Sequence, residues 1–311
     1  MADQQEALAG YNPKMNTPAF INTVHKKAYP AIDPTQPSLS AAGKTVVITG
    51  GATGIGFAIA RNFAAAGATT IVLLARRAPS LETASAALAK AYPSIQILTY
   101  PTDISDPTSV DTTLSAITAA AHNRSVDILV TSAVHPTTAF PILAIPDAEL
   151  RANFETNVFG NFDLVRKVLA LPTPSPSPSP SSPKIILDVS SDAVFSAFPT
   201  TGVYGASKYG FTFLLRHIQN EHPDTVRIHS FHPGAIWTPA IENFGGFSKA
   251  DIEPILDDAD LPGGFAVWLA SPQAAFLKGR FVLAKWDVED LVRNRERFER
   301  DRELGIVTLK V

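Results

Sequence analysis

Tyr204 and Lys208 stand four residues apart in Tyr204-Gly205-Ala206-Ser207-Lys208. On a helix, positions i and i+4 share a face, so phenol and ammonium become neighbours. A nearby cation stabilises phenolate and draws the phenol pKa toward working pH, as a general acid–base requires. Ser191 precedes Tyr204 by 13 residues, at the end of an apolar run that reads as a strand. A hydroxyl at that strand end can hold a substrate carbonyl. Taken alone, the Tyr-x-x-x-Lys spacing describes many ordinary helix surfaces. Its value lies in the combination with Ser191.

A second constellation is Thr49-Gly50-Gly51-Ala52-Thr53-Gly54-Ile55-Gly56. It follows a β-rich run and opens an Ala-rich helical stretch. Glycines there close the turn and let backbone N–H groups approach a pyrophosphate at a helix N-terminus. The spacing is G-x-x-x-G-x-G, and plain turn glycines would look the same. A third feature is Arg76-Arg77, at the end of the next apolar run. An acidic residue in that place would bond a ribose 2′-OH, whereas arginine pairs with a 2′-phosphate. The pair predicts NADP(H) over NAD(H). Read blandly, they are two solvated surface arginines.

Alternating elements must position these groups. Apolar β-rich runs fall at 45–49, 70–75, 95–100, 126–131, 184–191, 226–231 and 280–284. Helical stretches lie between them at 55–66, 81–91, 109–121, 147–171 and 204–221, with a further helix around 266–270. Continuous Val/Ile/Leu runs imply strands buried on both faces. Repeated strand–helix alternation implies a parallel sheet with right-handed crossovers. The expectation is one α/β domain, a Rossmann-type doubly wound sheet of about seven strands, spanning 44–286.

The flanks differ from that core. Residues 1–43 carry five prolines and no sustained period, and read as an extended arm, packed or loose. Residues 172–183 (PTPSPSPSPSSP) hold six of the 25 prolines and read as a solvated loop without chemistry. Residues 287–311 read as a charged helix and tail, with a narrow apolar stripe of Val288, Leu291, Val292 and Phe298.

Composition excludes several classes. At 311 residues, with 45% hydrophobic and 18% charged content, the chain is ordinary globular material. A net charge of −3 argues against a nucleic-acid protein working by bulk positive charge. With no cysteine, disulfides, Cys-ligated zinc and a thiol nucleophile are excluded. No carboxylate–histidine cluster has ligand spacing, so no metal is expected. Neither a secretory signal nor an apolar run of membrane-spanning length stands out, so a soluble cytoplasmic protein is expected.

With these motifs in this order, the chain from about residue 42 to 284 resembles the short-chain dehydrogenases/reductases, and most of all divergent fungal members, some of which act on secondary metabolites. Thr49, Gly50, Gly54, Ile55 and Gly56 match the family's glycine motif. The resemblance adds Asn157 to Ser191, Tyr204 and Lys208 as the fourth member of a catalytic tetrad. It places Asp103 and Ile104 at the adenine, and Pro233-Gly234 through Ile236 and Thr238 at the nicotinamide end. Gly50, Thr53, Gly54, Ile55, Gly56, Arg76, Arg77, Ala133, Tyr204 and Lys208 complete the implied cofactor set. It also implies a homodimer or homotetramer. In the mechanism it carries over, Tyr204 moves the proton on the substrate oxygen and Lys208 lowers its pKa. Ser191 polarises the carbonyl, and Asn157 holds a relay water.

One stretch departs from the family. After the fourth strand the usual Asn-Asn-Ala-Gly is Thr131-Ser132-Ala133-Val134, keeping only Ala133. The departure bears on cofactor affinity and on the geometry of the strand end. The family's variable substrate loop falls at about 238–261. His135, Val194, Phe195, Phe198, Trp237 and Phe244 are candidate lining, apolar and aromatic enough to suit an uncharged carbonyl compound. The leading reading is an NADPH-dependent ketone or aldehyde reductase, or the reverse dehydrogenase. An isomerase, dehydratase or cyclase using the same fold without net redox is the alternative, and a non-catalytic cofactor sensor the third.

Overall fold

The computed structural model describes residues 16–120, 126–135, 139–171, 183–244 and 248–306. The Pro/Ser tract at 172–182 and the first 15 residues of the arm lie outside them.

Seven parallel strands form one sheet: β1 (Thr45–Thr49), β2 (Thr70–Ala75), β3 (Gln96–Pro101), β4 (Ile128–Thr131), β5 (Lys184–Val189), β6 (Val226–His232) and β7 (Phe281–Leu283). Their order is β3-β2-β1-β4-β5-β6-β7. β1, β4 and β5 are buried along their whole length, which is why they read as unbroken apolar runs. The order reverses between β1 and β4. In doubly wound sheets, the crevice at the carboxyl ends of the strands beside such a reversal is where ligands bind.

Helices cover both faces. On one face pack α1 (Gly54–Ala65), α2 (Ala78–Ala91) and α7 (Asp260–Ala270), burying Phe63, Leu81, Leu88, Phe265 and Trp268 with Val46, Ile48, Ile71 and Leu73 of the sheet. The other face takes α3 (Pro107–Ala120), α5 (Asn161–Ala170) and α6 (Gly202–Glu221). There Val110, Ile117, Leu164, Val165, Phe211 and Leu215 meet Val47, Val72, Leu129 and Ile186. Neighbouring strand residues alternate between the two cores, as period-2 geometry demands.

Two expectations change. The single helix read at 147–171 is α4 (Asp147–Phe154) and α5 joined by a π-helical turn, Glu155–Gly160. The charged segment at 287–303 is two short helices, α8 (Val288–Arg293) and α9 (Arg295–Arg300), broken at Asn294. Val288, Leu291 and Phe298 are buried there, but Val292 is exposed.

From Asn16 onward the arm packs along the C-terminal segment. Val24 bridges to Trp286, and Asn22 and Thr23 donate backbone N–H groups to Asp290. Ile21, Ile32 and Leu39 are buried in the first core. Further on, Lys26 Nζ donates to the Pro254 carbonyl, which ties the arm to the loop expected to cover substrate.

Candidate active site

The groups singled out in the sequence gather at the carboxyl ends of β1, β4, β5 and β6. Ser191 follows β5 and caps a short 3-10 turn, its Oγ accepting from Ala193 N at 3.2 Å. Tyr204 lies in the first turn of α6, close enough to the Ser191 hydroxyl for that group to act on its phenol. Gly205 makes this approach possible. A Cβ there would stand 2.6 Å from the Ala193 carbonyl oxygen, so only glycine lets α6 come this near the serine turn. One helical turn on, the buried Lys208 donates from Nζ to Val189 O at 2.8 Å.

Asn157 sits in the π-helical turn, fully buried. Its Oδ1 accepts from His135 N at 2.8 Å, and its Nδ2 donates to Ser207 Oγ at 3.0 Å. Ser207 in turn donates to the Tyr204 carbonyl at 2.8 Å. The asparagine therefore joins the end of β4 to α6. A π-turn inserts one extra residue per turn and commonly marks functional positions in helices. The turn packs closely at its end, where a Cβ at Gly160 would meet Ile104 O at 2.5 Å.

The glycine loop has the form of a cradle. Gly50 and Gly54 have φ of 64° and 55°, in the left-handed region. A Cβ on Gly50 would press on the Ala133 backbone, and one on Gly54 would meet Thr238 Cγ2 at 3.1 Å. The loop thus runs against the end of β4 and the turn after β6. Thr53 stands exposed before α1, Ile55 is half-buried and Gly56 is buried under the loop. At the end of β2, Arg76 and Arg77 are exposed. Ile104 is buried. Asp103 is partly buried, its Oδ1 taking both the Ser105 N–H and hydroxyl. Burial opposes ionisation of that carboxyl, but the Ser105 bonds and the Arg76 charge prevail and hold it below its usual range.

At the turn after β6, Pro233 and Ile236 are buried and Gly234 has φ of 99°. Asp257 clamps this turn, accepting from Ala235 N at 2.9 Å and returning its own N–H to Ala235 O. Sequence reasoning missed Asp257, which no spacing connects to Gly234. The altered stretch after β4 is steadied by Thr49. Its Oγ1 accepts from Ser132 N at 3.0 Å and Ala133 N at 2.9 Å. A buried threonine thereby anchors the strand end despite the missing amides.

Burial dominates the electrostatics of Tyr204 and Lys208. Burial pushes the Tyr204 phenol up to about 12; the Ser191 bond opposes this, and Asp188 and Asp192 reinforce it. Burial lowers Lys208, against the pull of Asp188.

Of the proposed lining residues, Val194 is buried and Phe195 stands exposed, its ring edge-on to Phe281 at 5.5 Å. His135 pairs through Nε2 with Glu149 Oε1 at 3.0 Å, so it braces α4 against the end of β4. Phe198 and Trp237 are half-buried. The side chain of Phe244 lies outside the described set.

A sequence model described as short chain dehydrogenase matches residues 44–246. The chain belongs to the short-chain dehydrogenase/reductase family. A short chain dehydrogenase/reductase of Aspergillus novofumigatus, nsrO, is 38% identical over 274 residues, covering 86% of this chain and 89% of that protein. Among solved structures, RhlG of Pseudomonas aeruginosa in an NADP complex superposes with a TM-score of 0.70 at 22% identity, covering 80% of this chain and 97% of that one. A 3-ketoacyl-(acyl-carrier-protein) reductase of Brucella melitensis with NADH gives 0.67 at 25% identity, covering 78% and 97%. As a member of the short-chain dehydrogenases/reductases, the protein is an NAD(P)-dependent oxidoreductase acting on small molecules. The glycine cradle, with its positive-φ residues and no room for side chains, fits a dinucleotide. Among the described residues no helix is long and apolar enough to cross a membrane, and no cluster could hold a metal ion.

Proposed function

We propose that this short-chain dehydrogenase/reductase is an NADPH-dependent reductase, or the reverse dehydrogenase, for a ketone or aldehyde of a small apolar or aromatic metabolite. The close approach of the first turn of α6, which carries Tyr204, to the Ser191 turn at the carboxyl end of β5 carries this reading. A bound nicotinamide supplies the hydride to the carbonyl carbon, or accepts it in reverse. Tyr204 gives the proton to the carbonyl oxygen as it becomes a hydroxyl, and takes it back in oxidation. Ser191 Oγ holds that oxygen and polarises it. Lys208 holds positive charge beneath the phenol. Asn157, tied to both β4 and α6, fixes the spacing of the strand end and the catalytic helix and would hold the relay water.

Arg76 supports the NADP(H) preference. It stands exposed where a carboxylate would reject a 2′-phosphate, and its charge acts on Asp103 across the adenine side. Gly50, Thr53, Gly54, Ile55, Gly56 and Ala133 would cradle the pyrophosphate side, with Arg77, Asp103 and Ile104 toward the adenine and Pro233, Gly234, Ile236 and Thr238 toward the nicotinamide. An apolar substrate is supported by the exposed Ile142 and Leu143, since Ile142 covers the start of α6 at Gly202. We read 1–43 as an arm on the 44–286 domain and 287–311 as its extension. The location is cytoplasmic and the assembly a homodimer or homotetramer, which exposed Phe159, Tyr209 and Phe213 support.

The test pairs titration with turnover. The protein should bind NADPH more tightly than NADH by calorimetry. Tyr204→Phe should keep that binding while losing NADPH oxidation with a carbonyl panel. Full turnover in Tyr204→Phe would end the assignment. A product of unchanged oxidation state, with no NADPH consumed, would identify the alternative without net redox.

A further inference from the structure

Asp188 is a carboxylate in the middle of the sheet, fully buried, and nothing so far gives it a task. Strand register places it directly between Thr131 of β4 and Ser230 of β6. By alternation it faces the same core as Ile186, which α6 covers. Thr212 of α6 donates to its Oδ2 at 3.0 Å, and Ser190 Oγ stands 2.9 Å from the Thr212 hydroxyl. Because Thr212 has one proton and spends it on Asp188, Ser190 must be the donor to Thr212 when Asp188 is ionised. The other carboxyl oxygen of Asp188, Oδ1, is buried without a hydrogen-bond partner among the described residues, and the flanking Thr131 hydroxyl donates to Leu187 O instead. A buried carboxyl with one oxygen unsatisfied is a socket that calls for a cation.

The cation opposite this socket is Lys208. Lys208 and Thr212 are four residues apart on α6 and share the face turned to β5. Thr212 reaches Asp188 while Lys208 Nζ reaches the carbonyl of Val189, the next residue in the strand. We propose that Asp188 is a positioning residue whose buried charge keeps Lys208 an ammonium, so that Lys208 can stabilise the Tyr204 phenolate.

This rests on the reading of Tyr204 as acid–base, and the physical need is plain. Burial drives Lys208 toward its neutral form, and a neutral lysine gives Tyr204 nothing. Burial also drives Asp188 toward its neutral form, opposed by Lys208 and by the Thr212 hydroxyl. The charged pair therefore depends on both partners. The other titratable groups facing this site are Asp192, which acts on Tyr204, and His232, kept neutral by burial beside Asp192 and Lys285. Asp188 has two opposite effects on Tyr204. Its own negative charge raises the phenol pKa. Its hold on Lys208 lowers it.

Those opposite signs make Asp188→Asn decisive. The substitution keeps the shape and removes the charge. Lys208 is observed first, in the full-length protein, by NMR of its side-chain 13Cε–1Hε signal assigned with Lys208→Ala. Its titration midpoint should fall by about one pH unit or more in Asp188→Asn. Alcohol oxidation needs phenolate, so its rate rises with pH through the Tyr204 pKa. That limb should move to higher pH in Asp188→Asn, about tenfold slower at a fixed pH on the slope for each unit. An unchanged or raised lysine midpoint would overturn the proposal. So would a lowered midpoint with the rate limb unmoved or moved to lower pH, the shift expected if Asp188 acted only as a nearby negative charge. If Asp188→Asn does not fold, Thr212→Val strips one donor from the carboxylate and should move the same midpoint the same way by less; no movement there overturns the proposal. A wild-type protein without turnover on any carbonyl or alcohol would refute the functional reading. The lysine midpoint, read without substrate, still decides whether Asp188 holds Lys208 charged.

Discussion

Gly205→Ala isolates the contact on which the site depends. The added Cβ would lie 2.6 Å from the Ala193 carbonyl oxygen, against the 3.4 Å of ordinary contact, so backbone must part by about 0.8 Å. Neither side can yield by rotating a side chain, because the neighbour is the backbone of the Ser191 turn. The first turn of α6 must move, and Tyr204 moves with it. A misplacement of about 1 Å in a reacting group costs on the order of 100-fold in rate. Stability should change less. Overpacking costs about 1–3 kcal/mol, and replacing glycine by alanine in a helix returns up to about 1 kcal/mol. We expect kcat for carbonyl reduction to fall about 10- to 100-fold, with cofactor binding little changed and the melting temperature lowered by a few degrees. Gly210→Ala is the control on the same helix. Its Cβ would meet only Val158 Cγ2 at 3.9 Å, so activity should persist and stability should rise slightly. The reasoning fails if Gly205→Ala keeps wild-type kcat, or if both variants lose activity alike.

Other outcomes follow from single contacts. Thr49→Val removes the acceptor shared by Ser132 N and Ala133 N, at about 1–3 kcal/mol for each buried donor left unpaired. Its urea midpoint should drop and its NADPH affinity weaken; an unchanged pair of values would mean that Thr49 does not hold the strand end. Burial, with the Arg227 charge, pushes the His229 imidazole down to about 3. Its folded pKa lies below the unfolded value of about 6.5, so the stability tied to neutral His229 is whole above pH 6.5 and drains as pH falls toward 3. By pH 5 about 2 kcal/mol should be gone. His229→Asn should flatten the difference between urea midpoints at pH 7.5 and 5.0, and a variant as acid-sensitive as wild type would count against this.

The sheet was legible in the chain because buried parallel strands cannot alternate polar with apolar residues. β1 and β2 fall where their runs do, and the ends of β3, β4 and β7 shift by only one or two residues. The helix at 147–171 was legible as helix but not as interrupted. The π-turn ends at Gly160, which packs on Ile104 O, a partner 56 residues away that no local period encodes. The charged C-terminal segment misled for a related reason. Its stripe pointed to one helix, yet the helix breaks at Asn294, and Val292 is exposed.

By itself, the sequence determined the alternation of buried strand and covering helix, the glycine loop between β1 and α1, and the i to i+4 pairing of Tyr204 with Lys208. These are local properties, decided by side-chain period and backbone freedom within a few residues. Tertiary structure alone decided what surrounds them. Asp257 reaches Gly234 from the loop before α7, Thr49 takes over the task of the missing amides, and Asp188 comes to lie under Thr212 only because β5 lies between β4 and β6 beneath α6. Burial sets the charge on a lysine or a phenol, and burial is a property of the packed chain, so the residues that tune the chemistry become visible only once the layers are in contact.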